Sequence, residues 1–212
     1  MTTLQEKFWE SEFGDEYTQR NFFVPEDLDA SYITKYGVTR TRMNKEFLGS
    51  LSIESVLEVG ANMGAQLRTL QKMHFDNLYG IEINREAIEK SKKNSHDLNI
   101  IKASAFDIPF RDNYFDLVFT SGVLIHISPR DIAKALDEIY RTTKKYIWGF
   151  EYFSETHDNI EYRGHTDRLW RGNFAQMYLD RFHDMKLIKQ NKYKYVTDSN
   201  VDAMFLLEKI NK

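Results

Sequence analysis

The 212-residue chain suits one domain with an N-terminal extension, and its 42% apolar and 29% charged residues fit a packed core rather than disorder. The formal net charge is -3 with basic and acidic residues mixed throughout, which argues against a nucleic-acid partner, because that needs clustered Lys and Arg. The lack of cysteine excludes disulfides, thiolate metal sites and cysteine nucleophiles; no metal site is expected.

The opening MTTLQEKFWE has no apolar signal core, and no apolar run approaches transmembrane length. A cytoplasmic location without membrane attachment is expected. The first 50 residues read as a helical cap, broken near Pro25 and Gly37, before the main core over 51–212 of the same domain. Candidate strands follow at Ser55–Gly60, Asn77–Asn84, Leu98–Ala105, Phe115–Gly122 and Lys145–Phe153, with helical patterns at Gly64–Met73, Arg85–Asn94 and Pro129–Thr142. Pro129 fits a first helical position with Ser128 as its cap. Strand alternating with helix predicts an α/β fold with a mostly parallel sheet. The segment Asp167–Phe182 is helical in pattern. Met185–Val196 and Asp202–Ile210, separated by a short polar turn, predict a C-terminal antiparallel hairpin and bring the strands to seven.

The first strand ends in VLEVGANMG, Val56 to Gly64. Ligands of open α/β sheets sit at the carboxyl ends of parallel strands, and glycine there lets the backbone turn and a ligand approach. Gly60 and Ala65 fit the outer places of a dinucleotide fingerprint, but Asn62 stands where its second glycine would meet a pyrophosphate. That disfavours an NAD-dependent oxidoreductase. Glu58 closes the strand with an acid suited to a cationic ligand. Glu82, ending the second strand in GIEIN, can accept both hydroxyls of a ribose. Against these roles, Glu58 could cap the loop and Glu82 the following helix.

Together VLEVGANMG, LYGIEIN and SAFDIPFRDNYFDLVFTSGVLIHI resemble a class I S-adenosylmethionine-dependent methyltransferase, over roughly Val56 to Phe150. The resemblance implies a Rossmann-like fold with S-adenosyl-L-methionine as cofactor. Glu58, Gly60 and Gly64 match the family's glycine pattern, and Asn62 replaces its middle glycine next to Ala61. Ser104 stands where an acid often meets the adenine amine, so adenine is expected to rest on backbone groups, Ala105, Phe106 and Ile83. Ser121, Gly122 and Val123 should line the floor under the sulfonium. FWESEFGDEYTQRN and EYRGHTDRLWRGNF further resemble methyltransferases associated with biosynthesis of pseudaminic acid, a nonulosonic sugar.

Transfer to an oxygen or amine is helped by a base that takes the acceptor proton. Glu151, at the end of the fifth strand, and His126 and His165 are the candidates, although His126 also suits a core position and His157 and His165 lie on a polar loop. The loop before the last helix gathers Tyr152, Tyr162, Arg163, Trp170 and Arg171, which could bind a polar, anionic acceptor or pack as a plain lid. In the N-terminal cap, Phe8, Trp9 and Phe13 fall at helical spacing; Tyr17, Arg20 and Asn21 could reach the cofactor carboxylate, with Arg40 and Arg42 as rivals. The expected partner is a small-molecule acceptor, and the protein is expected to be a monomer or homodimer. The rival functions are a protein, peptide or nucleic-acid methyltransferase on the same scaffold and a non-catalytic cofactor-binding module.

Overall fold

A computed structural model describes residues 2–21, 24–94 and 97–210. The chain divides into two compact units, Met1–Pro109 and Phe110–Lys212.

The first unit begins with four helices: α1 (Leu4–Trp9), α2 (Glu12–Gln19), α3 (Pro25–Tyr36) and α4 (Arg40–Leu48). Pro25 starts α3, where its missing N–H costs nothing, and Gly37 ends it in the left-handed region at φ 72°. Three parallel strands follow, β1 (Val56–Val59), β2 (Leu78–Glu82) and β3 (Asn99–Lys102), in the order β3-β2-β1. They alternate with α5 (Ala65–Gln71) and α6 (Arg85–Asn94). Every residue of β1 is buried, as expected for a parallel strand covered on both faces. The pairing of Glu58 with Gly80 and Val59 with Ile81 brings the ends of β1 and β2 level, so their loops emerge side by side.

The second unit contains β4 (Phe115–Ser121), a 3₁₀ turn (Leu124–His126), α7 (Ile132–Thr142), β5 (Thr143–Tyr152), the short strands β6 (Asp158–Asn159) and β7 (Trp170–Arg171), α8 (Phe174–Arg181), β8 (Met185–Lys194) and β9 (Val201–Lys209). β4 and β5 are parallel, β9 is antiparallel to β5, and β8 is antiparallel to β9. The predicted antiparallel edge is therefore present. α7 buries Ile132, Ala135, Leu136 and Ile139, one face at helical spacing, each large aliphatic side chain contributing about 1.5–3 kcal/mol of burial. Gly149 of β5 leaves room for Phe205 of β9, whose ring carbon would lie 2.2 Å from any added β-carbon.

Two expectations fail. The helix predicted over Asp167–Phe182 exists only as α8. Residues before it form the return arm of a β6–β7 hairpin, with Asp158 opposite Arg171 and Asn159 opposite Trp170. At its tip Tyr162 and His165 exchange backbone hydrogen bonds of 2.7 and 2.9 Å. Arg163 and Gly164 between them lie at φ 50° and 81°, the two positive values of a tight hairpin turn. Pro129 does not start α7 either. Ser128 and Pro129 belong to a preceding turn in which the Ser128 hydroxyl donates to Asp131 at 3.0 Å, and Asp131 is the N-cap.

Candidate active site

The residues at the carboxyl ends of β1 and β2 form a tight polar knot. The amides of Gly60 and Ala61 both donate to the Ile81 carbonyl, at 2.8 and 2.9 Å, and so fold the loop back over β2. Gly60, Asn62 and Gly64 all have positive φ, at 74°, 47° and 84°. Glycine adopts this region without strain and asparagine tolerates it better than most residues. A side chain at Gly64 would also strike Leu98, 2.6 Å from the added carbon.

Glu82 is the hub. Its carboxylate accepts the amides of Asn62, Ile83 and Asn84, each at 2.8 Å. Burial nevertheless raises its pKa, with these three bonds opposing. Glu58 is 2% exposed, and its Oε2 is buried with no hydrogen-bond partner. Burial drives its pKa well above the ordinary carboxylate range; the Arg40 guanidinium works against this and the neighbouring Glu82 adds to it. Arg40, itself fully buried, donates to Asn44 at 2.7 Å and to the Tyr32 hydroxyl at 2.9 Å. A buried carboxylate oxygen without a donor is costly unless a ligand supplies one. Glu58 and Glu82 are two buried acids at neighbouring strand ends. They suit a ligand that brings a cation and a pair of hydroxyls, which fits S-adenosyl-L-methionine.

Ile83, Ser104, Ala105 and Phe106 are half-buried at the ends of β2 and β3. The Ser104 hydroxyl accepts the Phe106 amide at 3.1 Å and donates to Glu6 of α1 at 2.6 Å. Glu6 also closes a capping box with Thr3 at the start of α1. The N-terminal helices thus lie against the strand-end loops of their own unit. Asn84 donates to the Trp9 carbonyl at 3.1 Å and to Asp15 at 2.8 Å, Asn62 donates to the Thr18 hydroxyl at 3.1 Å, and Lys102 pairs with Glu10 at 2.7 Å. Trp9 stacks edge-on with Phe13 and Tyr17, at 5.6 and 5.1 Å. Tyr17 is half-buried in this cluster, whereas Arg20 is exposed at the end of α2 and pairs with Glu16 at 3.4 Å. Thr18, Asp15 and Asn84 were not singled out from the sequence; they act through partners 44 to 75 residues away, which spacing cannot reveal.

In the second unit, β4 ends at Ser121, followed by Gly122 at φ 68° and Val123, all half-buried. Glu151 of β5 is 2% exposed beneath this turn and accepts the Val123 and Ile125 amides at 3.3 and 3.5 Å. Burial lifts its pKa to about 7, although the Thr120 side chain and these backbone donors oppose the rise. His126 is also buried, and burial lowers its pKa to about 4. Its Nδ1 lies 2.8 Å from the Arg168 carbonyl, which can only accept, so Nδ1 carries the hydrogen and Nε2 the lone pair. The Tyr162 ring packs 5.3 Å from that of His126.

The remaining acceptor-side residues are dispersed along the hairpin. Trp170 is buried, 5% exposed. Tyr152 hydrogen-bonds Asn200. Arg171 pairs with Asp158 at 3.2 Å and lies over the Tyr152 ring. Arg163 and His165 are exposed at the tip, Arg163 over the Tyr162 ring at 5.8 Å. Tyr178 of α8 was missed from the sequence. It is fully buried with an unpartnered hydroxyl, and burial, with the Glu151 charge in second place, raises its pKa well above the usual phenol value.

Among the described residues there is no group of three His, Asp or Glu able to hold a metal, and no helix is long and apolar enough to cross a membrane.

Residues 57–146 match the family described as a methyltransferase domain. A ubiquinone/menaquinone biosynthesis C-methyltransferase of Rickettsia bellii is 44% identical over 69 residues, covering 30% of this chain and 27% of the relative. The chain spans less than half the length of the curated relatives it first matches. Among solved structures, a SAM-dependent methyltransferase of the DUF858 family from Leishmania major superposes with a TM-score of 0.72 at 17% identity, covering 97% of this chain and 87% of the other. The PH0226 protein of Pyrococcus horikoshii gives 0.68 at 14% identity, covering 92% and 98%. These likenesses show the fold to be the expected Rossmann-like one, with seven mostly parallel strands and an antiparallel edge.

Proposed function

We propose that this chain, which carries a class I methyltransferase domain with S-adenosyl-L-methionine as its cofactor, methylates a small polar, anionic metabolite, with a nonulosonic-acid sugar as the leading candidate. The observation that carries the methyltransferase reading is the pair of buried carboxylates at the β1 and β2 ends, with Glu58 Oε2 lacking a donor. The cofactor supplies a methyl group already activated on a sulfonium.

Glu58, helped by the loop Gly60–Gly64, is suited to a cationic ammonium, and Glu82 to a ribose diol. Ile83, Ala105 and Phe106 offer apolar walls for a base. In the second unit, Ser121, Gly122 and Val123 present the turn beneath which Glu151 is buried. Glu151, with a pKa of about 7, is matched to accept a proton from an acceptor hydroxyl or amine near neutral pH. His126 is the rival base through Nε2, and its lower pKa makes it the weaker one.

The anionic acceptor rests on side-chain chemistry. Arginine offers a planar fork to a carboxylate, and aromatic faces suit a sugar ring. Arg171 already faces Asp158, so Arg163 is the arginine assigned to the acceptor carboxylate. The test is a methyl-transfer screen over anionic sugars, amino acids, small amines and short peptides. Methylation of an anionic sugar or a similar acid is expected. Methylation of peptides or apolar compounds alone would overturn the acceptor, and no transfer with any of them despite cofactor binding would favour a non-catalytic module.

A further inference from the structure

We infer that Asn62 is a positioning residue that couples closure of the N-terminal helical hairpin to the Glu82 carboxylate; this rests on Glu82 holding the cofactor. Asn62 occupies the place of the middle glycine of the strand-end loop, and its φ of 47° is one that glycine would adopt more easily. What the side chain gains is contact. Its Oδ1 accepts the Met63 amide at 2.9 Å, its Nδ2 donates to Thr18 Oγ1 at 3.1 Å, and its own amide donates to Glu82 at 2.8 Å. Thr18 is fully buried, 44 residues away on α2.

Asn84 repeats the arrangement on the other side of the hub. Its amide donates to Glu82, and its side chain holds Trp9 and Asp15. Two of the three amides that fix Glu82 therefore belong to residues whose side chains grip the α1–α2 hairpin. That hairpin buries little: no residue of α1, and only Gly14 and Thr18 of α2. An element held mainly by polar ties at its rim, with few buried apolar side chains, opens at low free-energy cost. The design is a strap. When it is closed, Asn62 and Asn84 present their amides to Glu82 in one fixed geometry. When it opens, Glu82 loses that fixed frame, and a ligand held through Glu82 can leave.

Asn62→Gly keeps the positive φ and the amide to Glu82 but removes the tie to Thr18. Thr18→Val removes the same tie from the other end with little change of shape. Both are to be compared with the unaltered protein by stopped-flow dissociation of S-adenosylhomocysteine and by hydrogen exchange of residues 4–19, with and without that ligand. Each variant should release the ligand roughly three- to tenfold faster, the scale of one lost hydrogen bond. Asn62→Gly also loses the Oδ1 contact to the Met63 amide, so the double variant should do no more than Asn62→Gly alone, because Thr18→Val then removes only a tie already gone. Exchange of residues 4–19 should speed up in both variants without ligand, while that of β1 and β2 stays as in the unaltered protein. Unchanged release rates, or effects that add in the double variant, would overturn the coupling while leaving the cofactor assignment intact. Failure of the unaltered protein to bind S-adenosylhomocysteine would instead overturn the assignment itself, and the coupling with it.

Discussion

The strand-end loops of the first unit and the β6–β7 hairpin of the second are both rich in polar groups, yet they use them differently. At the β1 and β2 ends the acids are buried and gripped by backbone amides: Glu82 accepts three, and Glu58 is sealed with one oxygen unpartnered. In the hairpin the charged side chains are largely exposed and paired with one another, as in Arg171 with Asp158, or spread over rings, as with Arg163. The first arrangement is fixed by backbone geometry and, on the proposed reading, suits a ligand of constant shape. The second is set by side chains on a short arm, which on that reading can differ between acceptors without disturbing a core.

The largest test of this contrast lies at Glu151, a second-unit residue built in the first-unit manner. Its pKa is raised from the ordinary 4.5 to about 7. The folded protein therefore holds this proton more tightly than the unfolded chain does, and the stability it contributes is full below about pH 4.5 and lost as pH rises through about 7. Glu151→Gln should remove that slope from the melting temperature measured against pH, a difference of at most about 3 kcal/mol across the window. If the two melting curves stay parallel, the carboxyl is not held as described. On the proposed reading the same residue also sets the pH profile of turnover. A rise in kcat centred near 7 assigns the base to Glu151, whereas a rise near 4 assigns it to His126.

A smaller effect is expected at the first-unit hub. Glu82→Ala should weaken S-adenosylhomocysteine binding by roughly 1.5–3 kcal/mol, the scale of hydrogen bonds to a charged group. Titration calorimetry reads it directly, and an unchanged Kd would remove Glu82 from the ribose role. The smallest effect belongs to the exposed arm. Arg163→Lys keeps the charge and loses the fork, so KM for an anionic acceptor should rise several-fold, about 1 kcal/mol or less, with cofactor affinity unchanged. Equal KM values would return Arg163 to the solvent.

The same contrast explains what could be read from the sequence. β1, β2, β4 and β5 announce themselves as apolar runs closed by acids or glycine, because a strand buried on both faces has little freedom of composition. Glu58 and Glu82 were legible for the same reason: their place depends on the strand end and not on a distant partner. The Asp158–Arg171 hairpin was misread. Leu169, Trp170, Phe174 and Tyr178 fall close to helical spacing, and that pattern outweighed Gly172 and Asn173, which mark the break before α8. Gly164 after Arg163 was a turn signal of the kind a tight hairpin needs. The ties of Ser104 to Glu6 and of Asn62 to Thr18 join residues 98 and 44 positions apart. They depend on how the N-terminal helices dock, and no local pattern carries that information. Before α7, the Ser128 hydroxyl bonds Asp131 and closes a turn that holds Pro129, so the helix starts after Asp131 and not at the proline.

On the proposed reading, Glu58 and Glu82 at the β1 and β2 ends take the ammonium and ribose of S-adenosyl-L-methionine, and Asn62 stands where a pyrophosphate would need glycine. Titration calorimetry of the protein with S-adenosyl-L-methionine, S-adenosylhomocysteine and NAD decides this. Saturable binding of the first two is expected, and none of NAD at the same concentrations. Binding of NAD in preference to S-adenosylhomocysteine would contradict it.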